Sequence, residues 1–220
     1  MAGDEIYRTF IAIELPPDIR HRITEHIDRL RTAFPQVRAS WSRAHNLHLT
    51  LKFLGDIPVS RIPSLSDACD EAARQIAPFE LLVKGSGTFP PHGKPIVLWI
   101  GTEGAAASSE GRNSLLSLHA ALEDRCAAAG LAREPRAYHP HLTIARLREG
   151  KDSRPLAEQH RQIDFAPQIF AVTEIVLFRS ELSSQGSKHT ALARRALGVS
   201  RAQLEKSAAQ DHNGDAEVDD

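Results

Sequence analysis

The chain has 220 residues, with 41% hydrophobic and 25% charged side chains, enough for a folded core of one domain or two small packed lobes. Lys plus Arg (27) nearly balances Asp plus Glu (28), which excludes a global basic field for long nucleic acid but leaves room for a local basic patch. No apolar run is long enough to span a bilayer and no secretory signal opens the chain, so a cytoplasmic protein is expected.

In chain order, Arg8 to Glu14 reads as a strand ended by Leu15-Pro16-Pro17. Asp18 is the expected N-cap of a helix to about Phe34, with Ile19, Ile23, Ile27 and Leu30 at helical spacing. Leu47 to Leu54 is a strand closed by Gly55-Asp56. A second helix after Ser60 places Ile62, Leu65, Cys69, Ala72 and Ile76 on one face. Phe79 to Val83 and Ile96 to Ile100 read as strands around a Gly/Pro-rich loop from Gly85 to Pro95. Gly101 to Gly111 reads as a flexible connection. A third helix runs from Asn113 to Ala129, with Leu115, Leu118, Leu122 and Cys126 inward and Gly130 as its C-cap. His141 to Leu147 is a strand, and Arg148 to Gln162 reads as a polar, proline-containing loop. Strands near Ile169–Val172, Glu174–Arg179 and Lys188–Ala193 complete the fold. The order predicts an α+β chain with helices packed on sheet faces. Cys69 and Cys126 are expected as free, buried thiols. From Glu205 the acidic tail lacks apolar periodicity and reads as disordered, leaving residues 1–200 as one bilobal domain and 201–220 outside it.

The chemistry lies in a repeated pattern, His48-Leu49-Thr50-Leu51 and His141-Leu142-Thr143-Ile144. Side chains alternate along a strand, so each copy presents an imidazole and a hydroxyl on one face over two apolar residues on the other. Two such strands facing one cleft equip it for acid–base chemistry on a phosphodiester: a neutral ring takes a proton and a protonated ring gives one. The hydroxyls would bond the non-bridging phosphate oxygens, and nothing in the scheme needs a metal or other cofactor. Arg146 has the wrong parity to join His141 on a regular strand; a bend there would carry its guanidinium to the phosphate. Lys52 shares the motif face's parity and reads as a solvated side chain at the cleft edge. Phe53 shares the parity of Leu49 and Leu51, so only a bend after Lys52 would turn it into the cleft; with Phe10 it is the candidate to stack on a nucleobase. His45 with His48 and His139 with His141 give an alternative zinc reading, which the strand spacing and the lack of neighbouring cysteine or carboxylate weaken. His21, His26, His92, His119, His160, His189 and His212 read as surface or helix-face residues.

The chain resembles the 2H phosphoesterases, and within them the bacterial and archaeal RNA 2′,3′-cyclic phosphodiesterases, also called 2′-5′ RNA ligases. The resemblance rests on Arg8 to Pro16, Trp41, Asn46 to Gly55, Pro140 to Arg146, Phe178 to Leu182 and Gln185-Gly186, and covers about residues 7 to 198. It implies a bilobal α+β fold of two antiparallel-rich sheets, helices on their outer faces, and a pseudo-two-fold cleft lined by the two motif strands. It also implies hydrolysis of a terminal 2′,3′-cyclic phosphate of RNA or a nucleotide to a 2′-phosphate, with 2′-5′ ligation as the reverse; a monomer is expected. His48 would be the proton donor, His141 the proton acceptor, and Thr50, Thr143 and Arg146 the phosphate ligands. His189 stands where the family often carries tyrosine. A zinc-dependent hydrolase and a non-catalytic binder of RNA ends or nucleotides are the alternatives.

Overall fold

The computed structural model describes residues 4–104, 110–148, 153–163, 165–183 and 186–198. The acidic tail, His212, Gln185 and part of the connection before the third helix lie outside these residues. The first strand, β1 (Ile6–Glu14), leads into α1 (Pro17–Ala33), then a short strand β2 (Ala39–Trp41) and the first motif strand β3 (His48–Pro58). Helix α2 (Ile62–Ala73), strands β4 (Phe79–Phe89) and β5 (Val97–Gly104) and helix α3 (Glu110–Ala128) come next. The second motif strand is β6 (His141–Leu147), then come α4 (Ser153–Gln162), β7 (Gln168–Val172), β8 (Glu174–Ser183) and β9 (Gly186–Ala196).

The strands form two antiparallel sheets, ordered β3-β1-β8-β9 and β2-β6-β5-β4-β7. The halves correspond: β1-α1-β3-α2 repeats as β5-α3-β6-α4, each motif strand pairing with the strand that opens its own half. Strand β2 already lies in the second sheet, between β1 and β3 of the first, the strand after α2 joins the second sheet and a strand after α4 returns to the first, so the chain passes between sheets four times. One continuous core behind both sheets contains Ile11, Ile13, Leu49 and Leu51 from one lobe and Leu98, Ile100, Leu142 and Ile144 from the other. It takes in the apolar faces of all four helices, including Ile23 and Leu30, Cys69, Leu118 and Leu156. Phe10, Ala12, Val176 and Phe178 make a separate cluster on the opposite face of the first sheet. Both cysteines are buried and free, and burial holds the Cys126 thiol up at about 11. Among the described residues, no helix is long and apolar enough to cross a membrane.

Several sequence expectations change. Helix α1 starts at Pro17, which needs no N–H at that position, and Pro16 precedes it with no side-chain cap, so Asp18 is a first-turn residue rather than the N-cap. Strand β4 runs on through Gly85 to Phe89 instead of turning into loop at Gly85. Gly85 sits at φ 71 where the β4–β5 register shifts, so the glycine makes an irregularity in the strand and does not end it. Residues 153–162 form a helix where a loop was expected. Its buried face is Leu156, Ala157 and His160, and the polar third member hides the periodicity. Gly130 does cap α3, at φ 82, with the Leu131 N–H donating to the Cys126 carbonyl.

His26 and His160 are fully buried rather than on the surface. His160 donates its Nε2–H to the Trp99 carbonyl at 3.0 Å, so Nδ1 is the acceptor for the His26 Nε2–H at 3.1 Å. The two rings thus join α1, α4 and β5 as neutral imidazoles, and burial pushes His26 down to about 4.

Candidate active site

Each motif strand carries a β-bulge directly after its motif. Thr50 pairs with Ala12 but Lys52 with Ile11, leaving Leu51 as the extra residue; Thr143 pairs with Trp99 but Ala145 with Leu98, leaving Ile144. One extra residue reverses the parity of everything beyond it. Lys52 therefore turns into the core while Phe53, paired with Phe10, returns to the face of His48 and Thr50. In the other lobe Ala145 turns inward and Arg146, paired with Val97, joins the face of His141 and Thr143. Phe53 and Arg146 hold equivalent places in the two halves, one an exposed aromatic at 62% and the other an exposed guanidinium.

Lys52 is thus not a solvated side chain. It is buried, and its Nζ donates to Glu123 Oε1 at 2.6 Å and to the Ala132 carbonyl at 3.1 Å, which cements β3 to α3 and the segment behind it. Phe10 is buried as well, its ring 4.7 Å from His48 and 5.2 Å from Phe178. It forms the floor under the first imidazole. Phe89 does the same in the other lobe, 4.9 Å from His141 and edge-on to it.

The two imidazoles are oriented by one device. His48 Nδ1 lies 2.8 Å from the Asn46 carbonyl and His141 Nδ1 lies 2.7 Å from the His139 carbonyl, each two residues upstream. A carbonyl only accepts, so both Nδ1 atoms carry hydrogen and both Nε2 atoms are left as lone-pair acceptors. Thr50 Oγ1 donates to His48 Nε2 at 3.0 Å. His141 Nε2 has no such partner among the described residues. Burial pushes both rings below the ordinary histidine range, His48 to about 4, and the fields of His189 and His141 press His48 further down.

Reciprocal hydrogen bonds lock the motif strands to each other's lobes. Ser42 donates from its hydroxyl to the Thr143 carbonyl at 2.7 Å and from its N–H to the Ile144 carbonyl. Tyr138 donates from its phenol to the Thr50 carbonyl at 3.0 Å. Asn46 holds the β9 strand through the Ser187 carbonyl at 2.7 Å, bringing His189 to 5.2 Å from the His48 ring, edge-on. His189 is therefore a site residue, half-buried and lowered by its burial, rather than a surface histidine. Phe89, Ser42 and Tyr138 were missed in the sequence. Phe89 fell in a stretch read as loop, and the other two act through backbone carbonyls that leave no motif. Among the described residues no three His, Cys, Asp or Glu side chains converge as metal ligands would, and the two Nδ1 atoms of His48 and His141 are engaged by carbonyls.

A family model described as the 2′-5′ RNA ligase superfamily matches residues 15–183. The chain is 30% identical over 190 residues to an RNA 2′,3′-cyclic phosphodiesterase of Geobacillus stearothermophilus, covering 86% of this chain but 57% of that protein's length. It is 30% identical over 184 residues to an RNA 2′,3′-cyclic phosphodiesterase of Methanothermobacter thermautotrophicus, covering 83% and 95%. Among solved structures, a Thermus thermophilus protein superposes with a TM-score of 0.69 at 26% identity over 87% of this chain and 98% of that one. Escherichia coli LigT complexed with 3′-AMP superposes with a TM-score of 0.67 at 27% identity over 88% and 99%.

Proposed function

Because the chain belongs to the 2′-5′ RNA ligase superfamily, we propose that it is a phosphodiesterase that opens terminal 2′,3′-cyclic phosphates of RNA or nucleotides to 2′-phosphates, with His48 and His141 as its acid and base. The observation that supports this reading is the matched pair of Nδ1–carbonyl bonds, which leaves Nε2 of each motif imidazole as the atom available for proton transfer. The relatives' activity and the 3′-AMP bound by LigT support the substrate class.

His141 Nε2 takes a proton from water as its oxygen attacks phosphorus. The P–O3′ bond breaks, and His48 Nε2–H gives its proton to O3′, leaving the phosphate on O2′. His48 must be protonated for this, and it is neutral in the empty cleft at neutral pH. The phosphodiester's own negative charge, placed beside the ring, favours the imidazolium and supplies the missing stabilisation. Once Nε2 carries a proton it no longer accepts from Thr50, whose hydroxyl is then free to donate to a non-bridging oxygen, as Thr143 and Arg146 do from the other lobe. With a 5′-hydroxyl in place of water, the same proton transfers form a 2′-5′ bond. Phe53, exposed beside the motif face, is the platform for the base, while Phe10 is buried beneath His48 and supports the imidazole rather than the base. The protein is read as a cytoplasmic monomer, in which Cys69 and Cys126 stay free and buried.

The test is hydrolysis of a nucleoside 2′,3′-cyclic phosphate in excess chelator, with the product identified by chromatography. A 2′-phosphate is the expected product. A 3′-phosphate would reverse the leaving group, and turnover only on adding zinc would replace the two-histidine scheme.

A further inference from the structure

The bulge that brings Arg146 to the cleft face also fixes the facing of the residues beyond it. Past Ile144 the core side of β6 is Ala145 and Leu147, both buried, and the opposite side is Arg146 and Arg148, both exposed. On the neighbouring edge strand, Ala39 pairs with Leu147 and Ser40 with Arg146. The Arg148 N–H donates to the Arg38 carbonyl at 2.8 Å, which continues the ladder by one rung and sets Arg38 opposite Arg148. His141, Thr143, Arg146 and Arg148 therefore succeed one another along a single face, with Ser40 and exposed Arg38 beside them on the β2 side.

This arrangement is unfavourable by itself. Like charges directly opposite on paired strands repel, and among the described residues neither Arg38, Arg146 nor Arg148 has a carboxylate partner. Elsewhere the chain neutralises its arginines: Arg74 with Asp70, Arg133 with Asp124, Arg136 with Glu134, and Arg194 with both Glu14 and Glu174. Successive same-face side chains on a strand are ~6.6 Å apart, a step comparable to that between phosphates of an extended single strand. The row starts at the face of His141 and Thr143 and runs away from it, a path open to the chain 5′ of a terminal cyclic phosphate.

From this we infer that Arg38 and Arg148 form a binding track for the backbone phosphates of single-stranded RNA upstream of the reacting end, so that the enzyme prefers an oligonucleotide terminus to a free mononucleotide. The inference rests on the proposed hydrolysis at His48 and His141, and extends it from the terminal nucleotide to the polymer. Arg146 serves the reacting phosphate in either substrate. Arg38 and Arg148 serve only a substrate that has further phosphates.

The experiment compares KM for a nucleoside 2′,3′-cyclic phosphate and for a tetranucleotide ending in the same cyclic phosphate, at 50 and 200 mM salt. Each single-strand phosphate contact contributes about 0.7 to the salt slope, so two contacts should make the tetranucleotide's KM rise about sevenfold more than the mononucleotide's. In Arg38→Gln/Arg148→Gln the excess should vanish while mononucleotide turnover stays at the wild-type level, which also reports an intact fold. Arg38→Gln alone should remove about half of the excess on the logarithmic scale. Equal salt dependence of the two substrates in the wild type would overturn the track whatever the variants do, and so would an excess that survives the double substitution. Turnover of neither substrate by the wild type would instead overturn the underlying reaction, and this inference with it.

Discussion

Tyr138, three residues ahead of His141, donates its phenolic hydrogen to the main-chain oxygen of Thr50 at 3.0 Å. The ring lies stacked on His119 of α3 at 4.0 Å, and burial raises the phenol's pKa, so it remains a donor at any working pH. The segment that delivers one motif histidine is thus fastened to the strand that carries the other. Tyr138→Phe keeps the stack and removes the tether. It should cost about 1 kcal/mol of stability and lower kcat more than it raises KM, because spacing between acid and base matters chiefly in the transition state. Thermal unfolding with steady-state kinetics checks both. An unchanged kcat would mean that the tether does not set the spacing.

Lys52 and Glu123 hold the same region from behind. Glu123 accepts from Lys52 at 2.6 Å, takes the Glu134 N–H at 3.2 Å, and has His119 at 3.9 Å. Lys52→Met leaves a buried carboxylate without its cation, which typically costs about 3–5 kcal/mol. Lys52→Met/Glu123→Leu should recover most of that loss, since an apolar pair in the same space has no charge to desolvate. Urea unfolding of the three proteins gives the comparison.

The buried pair His26–His160 makes stability depend on pH. His26 is held at about 4 when folded against an ordinary value near 6.5, so the unfolded chain binds the extra proton first. Its contribution is complete above the unfolded value and is lost as pH falls from about 6.5 toward 4. Between pH 7 and pH 4.5 this single group should account for about 2 kcal/mol of lost stability. His26→Leu should lose less stability over that interval by this amount, read from urea midpoints at the two pH values.

These two histidines also mark where the sequence was legible and where it was not. The stripe Ile19, Ile23, Ile27, Leu30 announced α1 because its members are apolar, whereas His26 occupies the same buried face without an apolar signature. In α4 the buried face is Leu156, Ala157 and His160, too short and too polar to register as periodic. The motif strands themselves were plain, since two His-x-Thr pairs over alternating apolar residues have one natural reading on strands. Arg146, Phe53 and Lys52 were not, because each lies beyond a bulge. Bulges at Leu51 and Ile144 need no special residue type, so nothing in the chain revealed that parity reverses there. For Arg146 the expected bend is supplied by the bulge at Ile144; for Phe53 the bend was expected after Lys52, whereas the bulge falls before it, at Leu51. Lys52 went the other way for the same reason.

The acid–base pair has its own pH signature. Both motif histidines lose their protons below the ordinary value, His48 at about 4. The singly protonated pair of the free enzyme is therefore most populated on the acid side of pH 6.5. The optimum of kcat/KM, which reports the free enzyme, should lie below 6.5, and that of kcat should lie higher, because the bound phosphodiester anion raises the imidazoles. Two coincident profiles centred above pH 7 would contradict the burial of these rings.

The most direct measurement is the turnover of a nucleoside 2′,3′-cyclic phosphate by His48→Ala and by His141→Ala, each shown to be folded by its thermal unfolding. Removal of either proton-transfer group should lower kcat by a factor of about 10² or more, with the cyclic nucleotide still bound through Thr50, Thr143 and Arg146. Turnover near the wild-type level in either variant would contradict catalysis by the paired histidines.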